Sequence, residues 1–526
     1  MKYLFYGLEI NNMQQNAQKN NLKLIMDDQQ NVAEEYQPAE FWKYFRKISE
    51  IPRCSGKEDR IRRFIKEEAE KLAFITEIDT AGNLLVKLPS NNEDAKRLLI
   101  QSHFDMVCEK NKDSTHNFNK DPLILTEIEV KGQKWVTARG TSLGADNGVG
   151  LAYSLSMMKM IAKKSLHFPN LDIRFLFTVN EEEGLIGAFQ VSPDTLEVDY
   201  LINLDCMDDS TIIIGSVGGM YCSIQIRLNR KEINELNKNM ILIKLLVKGL
   251  LGGHSGLDID KGRANAIKIM ARIFKKISQS HKIHLESIMG GNNFNAIPRE
   301  ATALFYINKE ELEQLNEVLC LLQTDLNEEY AGFEENIQLE LIKMPKKLSN
   351  AHVFPNNIQK QLIDALYVLP HGPLSKHPVL KDLVHTSTNL ASINTSNTRI
   401  KIQMLHRSFE MIQNEKTAEK VSTIFKMSDL SVKIKNAGGY GVWNPQFEDE
   451  LLLKAKRVYK RLFRKEPHIL AMHAGLECGA FKTKAPDLEM ITIGPTIEAC
   501  HSPDEKLNVS SVGKFWNFLI PLLKEL

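Results

Sequence analysis

No apolar stretch in this chain is long enough to cross a bilayer; the nearest, Met240 to Leu251, is broken by Lys244 and Lys248. The chain also lacks a dominant charge. Its 67 Lys and Arg stand against 66 Asp and Glu, a net +1, which removes the global attraction that nucleic acid or an anionic membrane surface exploits. Cysteine is scarce and unpatterned: the 7 residues lie at 54, 108, 206, 222, 320, 478 and 500 without CxxC spacing. An odd, scattered set in so large a chain argues against a disulfide framework and for a reducing, cytoplasmic compartment. No secretory leader is expected either. The start MKYLFYGLEI has a short apolar part, carries Glu9 and runs into a Gln/Asn tract without a small-residue cleavage site.

The rest of the composition is ordinary for a globular protein, 43% apolar and 25% charged. At 526 residues the chain exceeds the usual single-domain size, so two domains are expected, one of them discontinuous. Residues 1–37 read as a polar, disordered extension. Helical periodicity marks Glu40–Ile51 and Arg60–Leu72, and strands are expected at Asn83–Leu88, Arg97–His103, Ile173–Val179 and Tyr200–Leu204, with a helix from Gly148 to about Lys163. Strands alternating with helices, with polar residues at the strands' C-terminal ends, indicate an α/β sheet with its site on that edge. From about residue 222 the texture turns to alternating strands, Cys222–Leu228, Ile241–Val247, Ala301–Ile307 and Thr398–Met404, with a helix at Arg263–Ile277. This reads as an inserted α+β lid domain over 222–436. Helix–strand alternation then returns at Glu448–Phe463, Ile469–His473, Met490–Ile493 and Val512–Leu526, completing a mixed-sheet catalytic domain of 38–221 plus 437–526.

His103 and Asp105 are spaced i, i+2, so on a strand they point to one side. An imidazole can ligate zinc while a nearby carboxylate orients it, although a lone His-x-Asp is usually a surface pair. Asp146 lies in Gly-Ala-Asp-Asn-Gly, where flanking glycines permit the tight turn that pushes a carboxylate into a crowded site; an N-cap or plain turn is the simpler reading. Glu181, Glu182 and Glu183 follow a strand directly, and carboxylates gathered at a strand end need either solvent or a cation. Asp205 and His501 extend the series. Oxygen and imidazole donors at strand ends suit two zinc ions that activate water, which makes hydrolysis the leading reading. In the middle region, His254 in a glycine-rich loop, Asn295 and Arg407 could stabilise an oxyanion or grip a carboxylate. The basic helix bearing Lys454, Lys456, Arg457, Lys460, Arg461 and Arg464 also carries an apolar stripe and reads as a solvated face.

Taken in register, HFDMVCEKN, ARGTSLGADNGVGLA, EEEGLIGAF, INLD, GLLGGHSG, NAIPREA, HAGLECGAF, IGPTIEACHSPDE and VGKFW resemble the Xaa-His dipeptidase (aminoacyl-histidine dipeptidase, carnosinase-like) family of co-catalytic zinc exopeptidases. The resemblance runs from about residue 40 to the end. It implies that Asp146 bridges two zinc ions, with His103 and Asp205 completing one site and Glu182 and His501 the other, and manganese or cobalt as substitutes. It implies Glu181 as general base, Asp105 as support for His103, and His254 polarising the scissile carbonyl. Asn295 and Arg407 would contact substrate, and Glu477 is the weaker candidate for the substrate's amine end. Expected partners are a small peptide substrate and a second copy of the chain through the lid domain, with neither nucleic acid nor membrane. Asn180 ahead of the glutamates, and Cys206 and Cys500 beside two ligands, depart from the pattern; such thiols could exchange metal or oxidise. The rival readings are an N-acyl amino acid deacylase, a broad di/tripeptidase, and a non-catalytic binding protein on this fold.

Overall fold

The computed structural model describes residues 23–24, 36–88, 92, 94–232, 239–345 and 352–526. Most of the polar stretch expected over 1–37 therefore lies outside the described residues; within it, Lys23–Leu24 pairs with strand Leu125–Val130. The chain divides into two compact units. The first is Met1–Gly215 with Pro445–Ala471 and Leu476–Leu526, the second Ser216–Asn444 with Met472–Gly475.

The first unit is built on an eight-stranded mixed sheet. Its order is Ile75–Ile78, Leu84–Lys87, Leu171–Thr178, Lys96–His103, Tyr200–Asn203, Glu489–Thr492, Thr211–Ser216 and His468–Met472. The four central strands run parallel, with His103 opposite Thr178 and Gln101 opposite Asn203. Parallel strands are covered on both faces, which is why Leu98, Leu99 and Ile100 are all fully buried rather than alternating. One covering element is helix Ala145–Ala162, buried on every side from Ala145 to Met158. Another is helix Ala39–Ser49, which inserts Phe41, Trp42, Tyr44, Phe45 and Ile48 into the core. Because the central strands share a direction, the residues just beyond Lys96–His103, Leu171–Thr178 and Tyr200–Asn203 emerge on one edge. A five-stranded sheet carries the other approach to that edge: Ile497–Glu498 and Lys506–Asn508 pair antiparallel, so 499–505 forms the loop between them.

The second unit is an antiparallel sheet covered by helices. Its path runs Gln338–Met344, Met240–Lys248, Ala301–Asn308, His284–Gly290, Val384–Thr395, Arg399–Ser408, Gly218–Arg227 and Val432–Gly438, with Gly372–Lys376 beside Val384–Thr395. Helices Ala266–Ile277, Leu312–Glu329, Asn356–Val368 and Met411–Met427 contribute to its apolar core. Asn265 caps the first of these by accepting from Ile267 and Lys268 N–H.

The cysteine pattern needs correction. Cys54 and Cys108 form a disulfide, their Cα atoms 5.7 Å apart. Sequence spacing hid the pair because an isolated β-bridge between Cys54 and Met106 brings the two loops together.

Candidate metal centre and active site

The sheet edge of the first unit gathers His103, Asp105, Asp146, Glu181, Glu182, Asp205 and His501. His103 ends its strand with Nε2 3.0 Å from Asp146 Oδ1 and 3.7 Å from Asp205 Oδ1. Asp146 turns its second oxygen to His501 Nε2 at 3.2 Å, and the same nitrogen lies 3.1 Å from Glu182 Oε1. Three groups of ligand atoms therefore cluster within 4.8 Å: His103, Asp146 and Asp205; Asp146, Glu182 and His501; and His103, Glu181 and Glu182. Asp146 belongs to two of these groups. Glu183 is exposed and stands outside all three.

Asp105 holds the pieces in place. His103 Nδ1 meets its backbone oxygen at 3.1 Å and its carboxylate at 3.3 Å. Its carboxylate also accepts from Ser55 Oγ at 2.8 Å, Glu181 N at 3.0 Å and Glu182 N at 3.2 Å. One residue thus orients the imidazole so that Nε2 faces the cluster, and it fixes the backbone of both glutamates. Asp146 and Asn147 depart from helical dihedrals at the start of their helix, which is what lets Asp146 face the cluster. Asn147 Nδ2 then donates to Asp205 Oδ1 and Leu204 O, each at 2.7 Å.

The electrostatics fit a cation. Burial, then repulsion from neighbouring carboxylates, raises Glu181 well above the ordinary range and Glu182 to about 7, and raises Asp205 too. Burial opposes charge on His103 and His501, yet their carboxylate neighbours outweigh it and hold His501 at about 11. Carboxylates crowded in a dry site without a compensating charge favour protons, and divalent cations relieve that repulsion. Imidazole nitrogen with carboxylate oxygen is a donor set that zinc accepts. Glu182 Oε1 is moreover buried, and the polar group it meets is the His501 Nε2 already in the cluster. The residues fit a metal.

Behind this cluster, Glu477 is 1% exposed and accepts from Gln101 Nε2 at 2.6 Å and Thr178 Oγ1 at 3.0 Å. Its other oxygen has no partner among the described residues, and burial raises its carboxyl to about 7. Cys206 is buried, and burial pushes its thiol up to about 12, so the side chain is a neutral thiol.

The second unit assembles its own polar group. Arg407 is buried and donates to Asn295 Oδ1 at 3.1 Å, Ser255 Oγ at 3.2 Å and the Tyr440 hydroxyl. None of these partners is a carboxylate. His254 Nδ1 accepts from Gly256 N and Leu257 N at 3.2 and 3.1 Å, which leaves the proton of the neutral ring on Nε2.

Sequence reasoning missed Arg53, Ser55, Asn147 and Glu505, which touch the backbone or side chains of the residues it named. Only Asn147 and Glu505 stood inside the quoted strings; Asn147 reads there as an ordinary turn residue, and nothing local shows that it reaches Leu204 and Asp205 or that Glu505 meets the Asp146 turn.

Residues 83–232 match peptidase family M28 and residues 246–334 a peptidase dimerisation domain. The cytosol non-specific dipeptidase of Escherichia coli is 33% identical over 491 residues, 93% of this chain and 98% of that protein. The crystal structure of aminoacylhistidine dipeptidase from Vibrio alginolyticus superposes with a TM-score of 0.78 at 32% identity, covering 94% of this chain and 98% of that one. An aminopeptidase from Bacillus cereus, 14% identical, shares the fold at a TM-score of 0.54, with 93% and 99% covered. Among the described residues no helix is long and apolar enough to cross a membrane. With these two dipeptidases each about one third identical along nearly their whole length, the chain belongs to the aminoacyl-histidine dipeptidase family of metallopeptidases.

Proposed function

We propose that this protein hydrolyses unblocked dipeptides, Xaa-His above all, with two zinc ions held by His103, Asp146 and Asp205 and by Asp146, Glu182 and His501. The observation that carries the reading is Asp146, whose two oxygens face His103 and His501 separately. Cations bound there supply Lewis acidity, polarising a carbonyl and making water acidic near neutral pH. Manganese and cobalt, which accept the same donors, are the substitutes to expect.

The chain's own groups do the rest. Glu181 lies among the ligand atoms without being needed in either three-residue group around Asp146, so it is free to take the proton from the attacking water. It later returns that proton to the leaving amine. Asp105 keeps His103 and the Glu181–Glu182 backbone in place. In the second unit, Arg407 is a buried cation with neutral partners, the setting in which a substrate carboxylate would be bound most strongly. Asn295 shares that contact. His254, donating from Nε2, would stabilise the carbonyl oxygen as it gains charge. Glu477 is assigned to the substrate's ammonium. The dipeptidase names of both relatives support this reading, as does the dimerisation-domain match for a homodimer formed through 222–436 acting as the lid. The cytosolic name of the Escherichia coli relative supports that compartment.

The test is a substrate profile of metal-loaded protein with Ala-His, carnosine, other dipeptides, tripeptides and N-acyl amino acids. Unblocked dipeptides should dominate, and preferential cleavage of N-acyl amino acids would overturn the assignment. Glu181→Ala should keep nearly intact metal binding while turnover falls by about two to four orders of magnitude. Near-normal turnover in that variant removes Glu181 as the base.

A further inference from the structure

Glu505 lies in the loop between Ile497–Glu498 and Lys506–Asn508, the loop that also carries His501. Its side chain is 1% exposed. Oε2 accepts from Leu143 N and Gly144 N, each at 2.8 Å, and Oε1 accepts from Asp146 N at 3.2 Å. Three N–H groups of the turn that presents Asp146 thus converge on one carboxylate. Arg53, equally buried, grips the same turn from its other side. Its guanidinium donates to Gly144 O, to Phe104 O at 3.0 Å and to Asp105 O at 2.9 Å. Gly144 is therefore held by Glu505 through its N–H and by Arg53 through its carbonyl. Neither charged residue belongs to any group of ligand atoms.

We propose that Arg53 and Glu505 form a buried brace that sets the spacing of the two cation positions. Arg53 locks the Asp146 turn to the strand end bearing His103 and Asp105, while Glu505 locks it to the His501 loop. The inference rests on the dinuclear reading above. Its chemistry is specific to a carboxylate: both oxygens accept, as three converging N–H groups require, whereas an amide places an NH2 donor against donors. Loss of the brace releases Asp146 and His501 together, so the cation held by Asp146, Glu182 and His501 suffers most. The group of His103, Asp146 and Asp205 keeps Arg53's hold on its strand end.

The experiment titrates metal-free, full-length wild type, E505Q and E505D with Co2+, reading stepwise affinities by calorimetry and the ligand field by visible absorption. Wild type should take two ions. E505Q should bind the first with near wild-type strength and the second about 10- to 100-fold more weakly, the usual effect of removing a group that orients ligands. E505D retains two acceptor oxygens and should recover part of that loss. In turnover assays, excess Co2+ should restore kcat in E505Q without changing KM, a split that general loosening of the fold does not produce. E505Q binding both ions with wild-type affinity and spectrum overturns the brace and leaves the dinuclear reading standing. Wild type binding one ion or none removes the dinuclear reading and the brace with it. If E505Q fails to fold by circular dichroism, E505D carries the comparison, and an unaltered second affinity in it counts against the brace.

Discussion

A single carboxylate, Asp105, accepts from His103, Ser55, Glu181 and Glu182 and so coordinates three loops at once. Asp105→Asn keeps the shape but turns one acceptor into a donor facing N–H groups. Metal affinity should fall about 10- to 100-fold. Equilibrium dialysis against a chelator measures this, and unchanged affinity counts against the orienting role. Arg407 makes a different prediction. Lys in its place cannot reproduce a planar fork of donors, so KM for dipeptides with a free C-terminal carboxylate should rise about 10-fold or more. The matching dipeptide amides should be affected far less; equal losses on both would remove the carboxylate anchor. At this scale the ligand candidates were legible, because His103 ends an apolar strand and Glu181, Glu182 and Asp205 follow apolar runs, although Asp105 lies beyond the strand rather than on its face as the i, i+2 spacing predicts. Arg53 and Glu505 were not. They act on backbone groups, and no side-chain pattern records which peptide N–H a distant carboxylate will meet.

Among elements, the Asp146 turn is the most demanding. Gly144 has φ +65°, and a Cβ there would lie 2.6 Å from both Arg53 Nη2 and Met106 Sδ. Gly144→Ala should cost about 1–2 kcal/mol from the left-handed backbone alone, before any displacement of Arg53. A thermal melt of the metal-free protein should fall accordingly, and an unshifted midpoint would show that the turn relaxes. The loops holding Arg53 and Asp105 are also tied by the Cys54–Cys108 bridge, which leaves Cys206, Cys222, Cys320, Cys478 and Cys500 as free thiols. Thiol titration of unreduced, denatured protein should therefore count the 5 free cysteines rather than all 7. A count of all of them would mean that the bridge is open in the protein as isolated. Strands and helices with unbroken apolar patterns were readable from the chain. Helix Met411–Met427 was not, because its buried face includes Asn414 and Thr417 as well as Ala418, Val421 and Phe425. Leu125–Val130 escaped for a related reason: every residue in it is half-buried, so no alternation appears.

For the whole molecule, acid response should concentrate in the second unit. Burial lowers His371 and His406 to about 4 and His473 to about 3, against an ordinary 6.5. In the unfolded chain these rings take a proton as pH falls below 6.5, while in the folded unit they stay neutral until about 4 or lower. Stability present above pH 6.5 is therefore lost across that window, by up to about 1.4 kcal/mol per pH unit for each histidine. Denaturant melts at pH 7 and pH 5 should show wild type losing more stability than His406→Gln; equal losses would show that His406 is not a source of the acid response. The amino-acid order alone determined the alternation of strands and helices, the apolar central strands and the polar residues at their ends, because periodicity and composition are local properties; the choice of ligand candidates among those polar residues came from the family resemblance. Tertiary structure decided which of them meet. Parallel strands bring their C-terminal ends to one edge, and only the folded chain lays a turn at Gly144 against a loop at Glu505, since contacts between backbone groups far apart in the chain leave no trace in local composition.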